Sequence, residues 1–149
     1  MGPFDMLAIS GSALAAERQR SEVIATNLAN QDVTRTDEGG PFTRKQVVFS
    51  APQSAAFRLA FARSTQHLLG PVAGSVRLSA VVNDPAPPIM RYQPGHPDAD
   101  KDGFVAYPAI NPVQEMVDLM GSVRAYQLNA SAVAASKQMI QGSIDILKS

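Results

Sequence analysis

Residues Pro112–Lys148 read PVQEMVDLMGSVRAYQLNASAVAASKQMIQGSIDILK. Steps of alternately three and four select Met116, Leu119, Val123, Tyr126, Ala130, Val133, Lys137, Ile140, Ile144 and Leu147, all apolar except Lys137. Such a heptad stripe marks a long helix that wants a partner helix along its length. Asn111 stands at the N-cap position and Pro112 at the first helical position, where a missing N–H costs nothing. Glu115 and Asp118 in the early turns and Lys148 in the last suit the helix dipole. A helix from Val113 to Lys148 measures ~54 Å at 1.5 Å per residue, against ~30–40 Å for a compact domain of this length. Either the molecule is elongated, or the helix breaks at Gly121 or Gly142. Lys137 on the seam is the kind of polar residue that fixes register or partner number.

The other end of the chain supplies part of a partner. Phe4 to Asn30 holds no proline and carries a softer stripe. Met6, Ile9, Ala13, Ala16, Arg20 and Val23 follow one course, and Leu7, Leu14, Ile24 and Leu28 a neighbouring one. Small residues from Ala8 to Ala16 let another helix approach closely. Asn30 is a candidate left-handed stop, since asparagine substitutes for glycine there. The Asp37-Glu38-Gly39-Gly40-Pro41 run that follows is a turn sequence.

Between these flanks lies a different kind of chain. Ten of the 11 prolines fall from Pro41 to Pro112, and proline in a helix interior costs ~3 kcal/mol or more. Long helices are thereby confined to the flanks. Phe42–Phe49 and Ser75–Val82 are strand candidates, the second alternating through Val76, Leu78, Ala80 and Val82. Met90–Tyr92 and Phe104–Tyr107 are shorter ones, around a Pro/Gly/Asp loop. Ala51–Leu69 reads equally as loop, short helix or strand. The expected fold is α+β: long N- and C-terminal helices pairing as a coiled-coil-like layer, with a small, irregular, β-rich middle, the whole elongated. The expected division is 1–38, 39–111 and 112–149.

Composition narrows the function. The 149 residues include no cysteine, which excludes disulfide scaffolds, thiol enzymes and Cys-type zinc sites. Thirteen basic and thirteen acidic side chains balance, so the cationic excess that gives nucleic-acid modules their affinity is missing. By section the charge is −3, +3 and 0, with no basic patch. The longest stretch without charged residues runs only from Ser64 to Val76, short of the ~20 apolar residues of a membrane span. Asp5 stands where a signal peptide carries cations, and the first cation is Arg18.

Catalytic and metal-binding frames are weak. Asp98, Asp100, Asp102 and Gly103 resemble the opening of a calcium loop, but position twelve holds Ala109 instead of a bidentate glutamate. An acidic turn between two short strands is the expectation. His96 lies in a Pro94-Gly95-His96-Pro97 turn, and His67 has no nearby carboxylate in sequence; neither belongs to a catalytic frame. Nucleophile-elbow and phosphate-loop motifs are missing. Asn129-Ala130-Ser131 matches a glycosylation sequon but falls in mid-helix. No catalytic, cofactor or metal residue is therefore assigned.

Ser21-Glu22-Val23-Ile24-Ala25-Thr26-Asn27-Leu28-Ala29-Asn30-Gln31-Asp32-Val33-Thr34 resembles the N-terminal signature of bacterial flagellar rod and hook proteins, whose core reads N-L-A-N-x-x-T. Here the threonine arrives one residue late, with Val33 in its place. Gly39–Phe49 (GGPFTRKQVVF), Tyr92–Val105 (YQPGHPDADKDGFV) and Glu115–Met120 (EMVDLM) running into Arg124–Asn129 (RAYQLN) resemble the proximal-rod members of that family. Ser50–Val72 resembles nothing in it.

The resemblance implies a structural subunit, not an enzyme. Subunits of that kind polymerise helically with themselves and with other rod proteins into the drive shaft of the flagellar basal body. They leave the cell through the flagellar export apparatus without a cleaved signal peptide. Their terminal helices form an inner layer around a hollow axis, typically ordering only on assembly. The implied assembly residues are Leu14, Ile24, Asn27, Leu28 and Asn30 on the N-terminal helix, together with Met116, Leu119, Val123, Tyr126, Ala130, Val133, Ile140, Ile144 and Leu147 on the C-terminal one. Asn27 and Asn30 are expected to satisfy helix-end carbonyls. No cofactor, nucleic acid or membrane span is expected. The residues taken alone leave two alternatives: a soluble coiled-coil adaptor, and a small metal-binding or enzymatic module around His67, His96 and the Asp98–Asp102 loop.

Overall fold

Asn111 opens the C-terminal helix as its position suggests. Its Oδ1 accepts the N–H groups of Val113 at 3.1 Å and Gln114 at 3.4 Å, satisfying donors that no helix can pair internally. A computed structural model of the chain describes residues 3–51 and 74–148, with side-chain surroundings for 4–51 and 74–146. The element order is α1 (Pro3–Ala29), β1 (Lys45–Ser50), β2 (Arg77–Asn83), β3 (Ile89–Tyr92), β4 (Phe104–Tyr107) and α2 (Pro112–Lys148). Helix α2 runs 37 residues without a break at Gly121 or Gly142. It is ~55 Å long, and the molecule is elongated as expected. His67 and most of the ambiguous middle segment lie outside the described residues.

The two helices pair antiparallel. Asn27 meets Glu115, while Ser21 and Glu17 meet Ser122, so the contacts recede along α1 as they advance along α2. Helix α1 stops at Ala29, and Asn30 secures that end in its own way. Its side chain donates to the carbonyl of Thr26 at 2.8 Å and its backbone N–H bonds the same carbonyl. The left-handed stop expected there does not form: no non-glycine residue described has a positive φ. An amide that reaches back to the open carbonyl makes the turn without the strained backbone.

The middle consists of two antiparallel pairs, β1 with β2 and β3 with β4. In the first pair Lys45 faces Asn83 and Ser50 faces Arg77, with an irregularity between Val48 and Phe49. This bulge breaks the strict alternation expected of β2, and Ala80 and Val82 are exposed. The second pair is a hairpin in which Ile89 faces Tyr107 and Tyr92 faces Phe104. Val105 and Tyr107 point inward and are buried with Ile110. The Tyr107 hydroxyl donates to Gln93 Oε1 at 2.8 Å, and the Arg91 guanidinium stacks 4.5 Å from the Tyr107 ring centroid.

The hairpin loop is the acidic turn expected from the sequence. Asp100 Oδ1 accepts the N–H groups of Asp102 and Phe104. Asp98 Oδ2 instead accepts from the Thr34 hydroxyl at 2.8 Å, which fastens the hairpin to the segment after α1. Gly103 closes the loop at φ +80°, and a Cβ there would lie 2.9 Å from Tyr92 Cε2 and 3.2 Å from Pro94 Cβ.

Substituting Gly103 by alanine is therefore expected to cost the hairpin about 2 kcal/mol, from left-handed backbone strain and the clash together. Limited proteolysis should cut the 93–104 loop faster while far-UV circular dichroism keeps its helical signal. An unchanged cleavage rate would contradict this account.

Candidate assembly interface

Three elements meet at the base of the helix pair. Asn27 is 1% exposed, and its amide bonds on both sides. Oδ1 accepts the Lys45 N–H at 2.9 Å, and Nδ2 donates to the Lys45 carbonyl at 2.9 Å and to Glu115 Oε2 at 3.1 Å. A primary amide facing a peptide group this way copies a strand pairing, and so joins α1 to β1. Glu115, also 1% exposed, receives Arg44 at 2.7 Å through Nε and Nη2. Arg44 reaches Asp84 through Nη1 at 3.1 Å, and Asp84 also accepts the N–H of Ala86 and the Gln46 side chain.

The electrostatics follow from this geometry. Burial pulls the Arg44 pKa down, but the hydrogen bonds and charges of Glu115 and Asp84 outweigh it and hold the guanidinium above its ordinary value. Asp84 lies below the usual carboxylate range because the Ala86 N–H, Arg44 and Gln46 all favour the ionised form. The expected role of Asn27 as a plain helix-end cap is thus corrected: it is a buried junction between helix, strand and second helix. Arg44 and Glu115 were missed as a pair. Both sit in the quoted motifs GGPFTRKQVVF and EMVDLM, but a lone carboxylate in a first helical turn reads as dipole compensation.

The seam between the helices is made of small and polar residues. Ser122, 1% exposed, places Oγ 2.9 Å from both the carbonyl and the carboxylate of Glu17 and 2.8 Å from Ser21 Oγ. Ser136 is equally buried, Ala125, Asn129 and Ala132 are half-buried, and Leu119, Val133 and Ile140 border this line. On α1, Ile24 is buried and Leu14 and Leu28 are half-buried.

The apolar heptad stripe is therefore not the seam to α1. Met116 is 47% exposed, Val123 44%, Tyr126 43% and Ile144 45%, and Ala130 is exposed as well. The side chain of Leu147 lies outside the described residues. Lys137 is exposed and Ser136 takes the seam position, so a register role for Lys137 within this pair does not hold. Small seam residues allow close backbone approach and turn the larger apolar side chains outward. Apolar groups buried among the described residues are just Ala16, Ile24, Val105, Tyr107 and Ile110. Valines, methionines and a tyrosine left in water along α2 mark an interaction surface.

Among the described residues the alternative chemistry finds no centre. Among the described residues no group of three or more His, Asp or Glu is poised to hold a metal. The carboxylates of Asp98 and Asp100 serve different partners, as above. His96 Nδ1 accepts the Asp98 N–H at 3.1 Å, and its ring lies edge-on to Tyr107. Asn129 donates to the Ala125 carbonyl within the helix. The cleft beside the buried junction, lined by Arg20, Val23, Arg44, Val47, Phe49 and Asp118 among others, contains no serine or histidine. No described helix is long and apolar enough to cross a membrane.

Comparison with known proteins gives a consistent picture. Residues 7–35 match the family described as flagella basal body rod protein, and residues 101–146 match the family described as flagellar basal body rod FlgEFG protein C-terminal. The chain is 34% identical over 152 residues to the flagellar basal-body rod protein FlgC of Borreliella burgdorferi, covering 99% of each chain. It is 35% identical to the protein of that name in Bacillus subtilis, covering 99% of this chain and 100% of the relative. Identity to that of Salmonella typhimurium is 35%, over 94% of each.

Truncating Glu115 to alanine leaves Arg44 and the Asn27 amide without their shared acceptor. The expected loss is about 3 kcal/mol, typical of breaking one side of a buried pair, and is read in chemical denaturation of the isolated chain. A loss below about 1 kcal/mol would show that the junction is not a stability element. The depressed Asp84 pKa gives a second expectation. Its contribution is complete above the ordinary carboxylate pKa of ~3.9 and is lost as pH falls through the lower folded value. The melting temperature should therefore drop below about pH 4, and Asp84→Asn should flatten that part of the profile.

Proposed function

The chain belongs to the FlgC family of flagellar basal-body rod proteins, and from that premise we propose that it is a structural subunit of the proximal rod. It polymerises helically with its own copies and with other rod proteins to form the drive shaft of the flagellum. Residues 1–38 and 112–149 build the inner axial layer, and residues 39–111 form the outer domain. The subunit reaches the basal body through the flagellar export apparatus, and its role is mechanical, without catalysis.

The observation that carries this reading is the exposed apolar stripe of α2 on a helix pair whose own seam is already filled. Such a stripe needs other chains to cover it. Each Met, Val or Ile withdrawn from water contributes ~1.5–3 kcal/mol, so several per subunit suffice to hold an array. A contact that does not close on itself then propagates as an open helical assembly. Of the assembly residues, Ile24 and Asn27 act from within by fixing the helix pair. Leu14, Leu28, Asn30, Leu119, Val133 and Ile140 border that pair. Met116, Val123, Tyr126, Ala130, Ile144 and Leu147 make contacts between chains.

Val123→Asp tests this directly. Val123 is exposed in the single chain, so the variant should melt within about 1 °C of the parent, as surface substitutions do. In a strain lacking the native gene it should fail to restore basal bodies and motility, because the charge is desolvated only in the assembly. Normal swimming with the variant would overturn the assignment of this face.

A further inference from the structure

The amide of Asn27 occupies the first position of an open strand edge. Among the described residues β1 pairs only with β2, so its other edge presents peptide groups outside any ladder. The Asp84 N–H bonds the Arg44 carbonyl at 2.7 Å, which turns the Arg44 peptide groups towards β2. Successive residues of a strand address its two edges in turn. Lys45 therefore faces away from β2, and there the Asn27 side chain meets both its N–H and its carbonyl. Val47 is the next residue to face away, and Phe49 the one after it. Asn27 thus stands where the first residue of an added strand would stand. Among the described residues nothing takes up the outward N–H or carbonyl of Val47. Val47 and Phe49 are nevertheless half-buried, and peptide groups withdrawn from water need partners.

This edge borders the cleft between β1, α1 and α2, a space of about 370 Å³. Arg44 and Glu115 line it but are spent on each other. Two further charges of opposite sign line it as well, Arg20 from α1 and Asp118 from α2. Both are half-buried, and neither makes an ion pair or a side-chain hydrogen bond among the described residues.

We infer that an extended segment of a different protein lies in this cleft as a further strand beside β1, with an acidic side chain against Arg20 and a basic one against Asp118. This rests on the rod reading and names a contact through which a neighbouring rod protein is held. The unpaired peptide edge selects an extended backbone, because main-chain hydrogen bonds carry recognition by strand addition. The charges select a chain other than this one. None of its four strands contains an acidic residue, and neither does the stretch 52–73. A second copy therefore has no strand that supplies the partner of Arg20.

Proline separates the two edges, since it removes one N–H and is tolerated where that N–H faces outward. In the isolated chain Val47→Pro should melt within about 3 °C of the parent. Val48→Pro, which loses an N–H directed at β2, should melt far lower. In a strain lacking the native gene Val47→Pro should fail to restore motility, while Val47→Ala, which keeps the N–H, should restore it. The occupant is read by placing the photo-cross-linker p-benzoyl-L-phenylalanine at position 23 on the cleft wall, or at position 46 should the first prevent incorporation. Irradiated basal bodies should then yield a covalent link to a different rod protein. Four results would overturn the inference and leave the rod reading intact. They are Val47→Pro melting as low as Val48→Pro, normal swimming with Val47→Pro, lost motility with Val47→Ala, and incorporated subunits that link to a second copy, to residues 52–73 of their own chain, or to nothing. Failure of the unsubstituted chain to enter basal bodies would overturn the rod reading, and this inference with it.

Discussion

Everything else in this subunit hangs on the burial of one carboxylate. Glu115 sits in the first turn of α2 with almost no access to water, where an uncompensated charge would be prohibitively costly. Compensation arrives from two directions, an amide on α1 and a guanidinium ahead of β1. Those donors are themselves committed, Asn27 to the Lys45 peptide and Arg44 to Asp84. The network thus fixes the helix register, the position of β1 and the loop after β2 together. With so few apolar side chains buried among the described residues, it does for this chain what a hydrophobic core does for a globular domain.

A polar junction and a small-residue seam leave larger apolar groups of α2 on the outside of the helix pair. A seam of leucines would have consumed the stripe within one chain and produced a self-sufficient hairpin. The serines and alanines of α2 instead let α1 approach closely and hold it through directed hydrogen bonds, as at Ser122. Methionine, valine and isoleucine then face outward and stay exposed in the single chain.

Periodicity and punctuation carry much of the architecture. The proline map confines helices to the flanks, Asn111-Pro112 marks the start of α2, and Phe104–Tyr107 is a strand in sequence and in structure. The direction of the stripe is another matter. Heptad spacing reveals that a helix has an apolar side, but it is silent on whether the partner belongs to the same chain. Met116 and Val123 read as seam because apolar groups usually face their own core; Ser122 and Ser136 pass unnoticed because burying serine has no periodic signature. The Asn27–Glu115–Arg44 cluster was invisible for a related reason. Its members are separated by tens of residues, and only the fold shows that their polar atoms converge. The motifs that signalled the family nevertheless contain all three.

The tether between Thr34 and Asp98 gives the β3–β4 hairpin two mountings. One is this hydrogen bond to the segment leaving α1; the other is the short run from β4 through Ile110 into the cap of α2. A sideways force on the hairpin is consequently shared between both helices and cannot swing it about a single hinge. In a rotating shaft, a load placed on the hairpin is thereby spread over two attachments, with no single peptide segment bearing the whole of it.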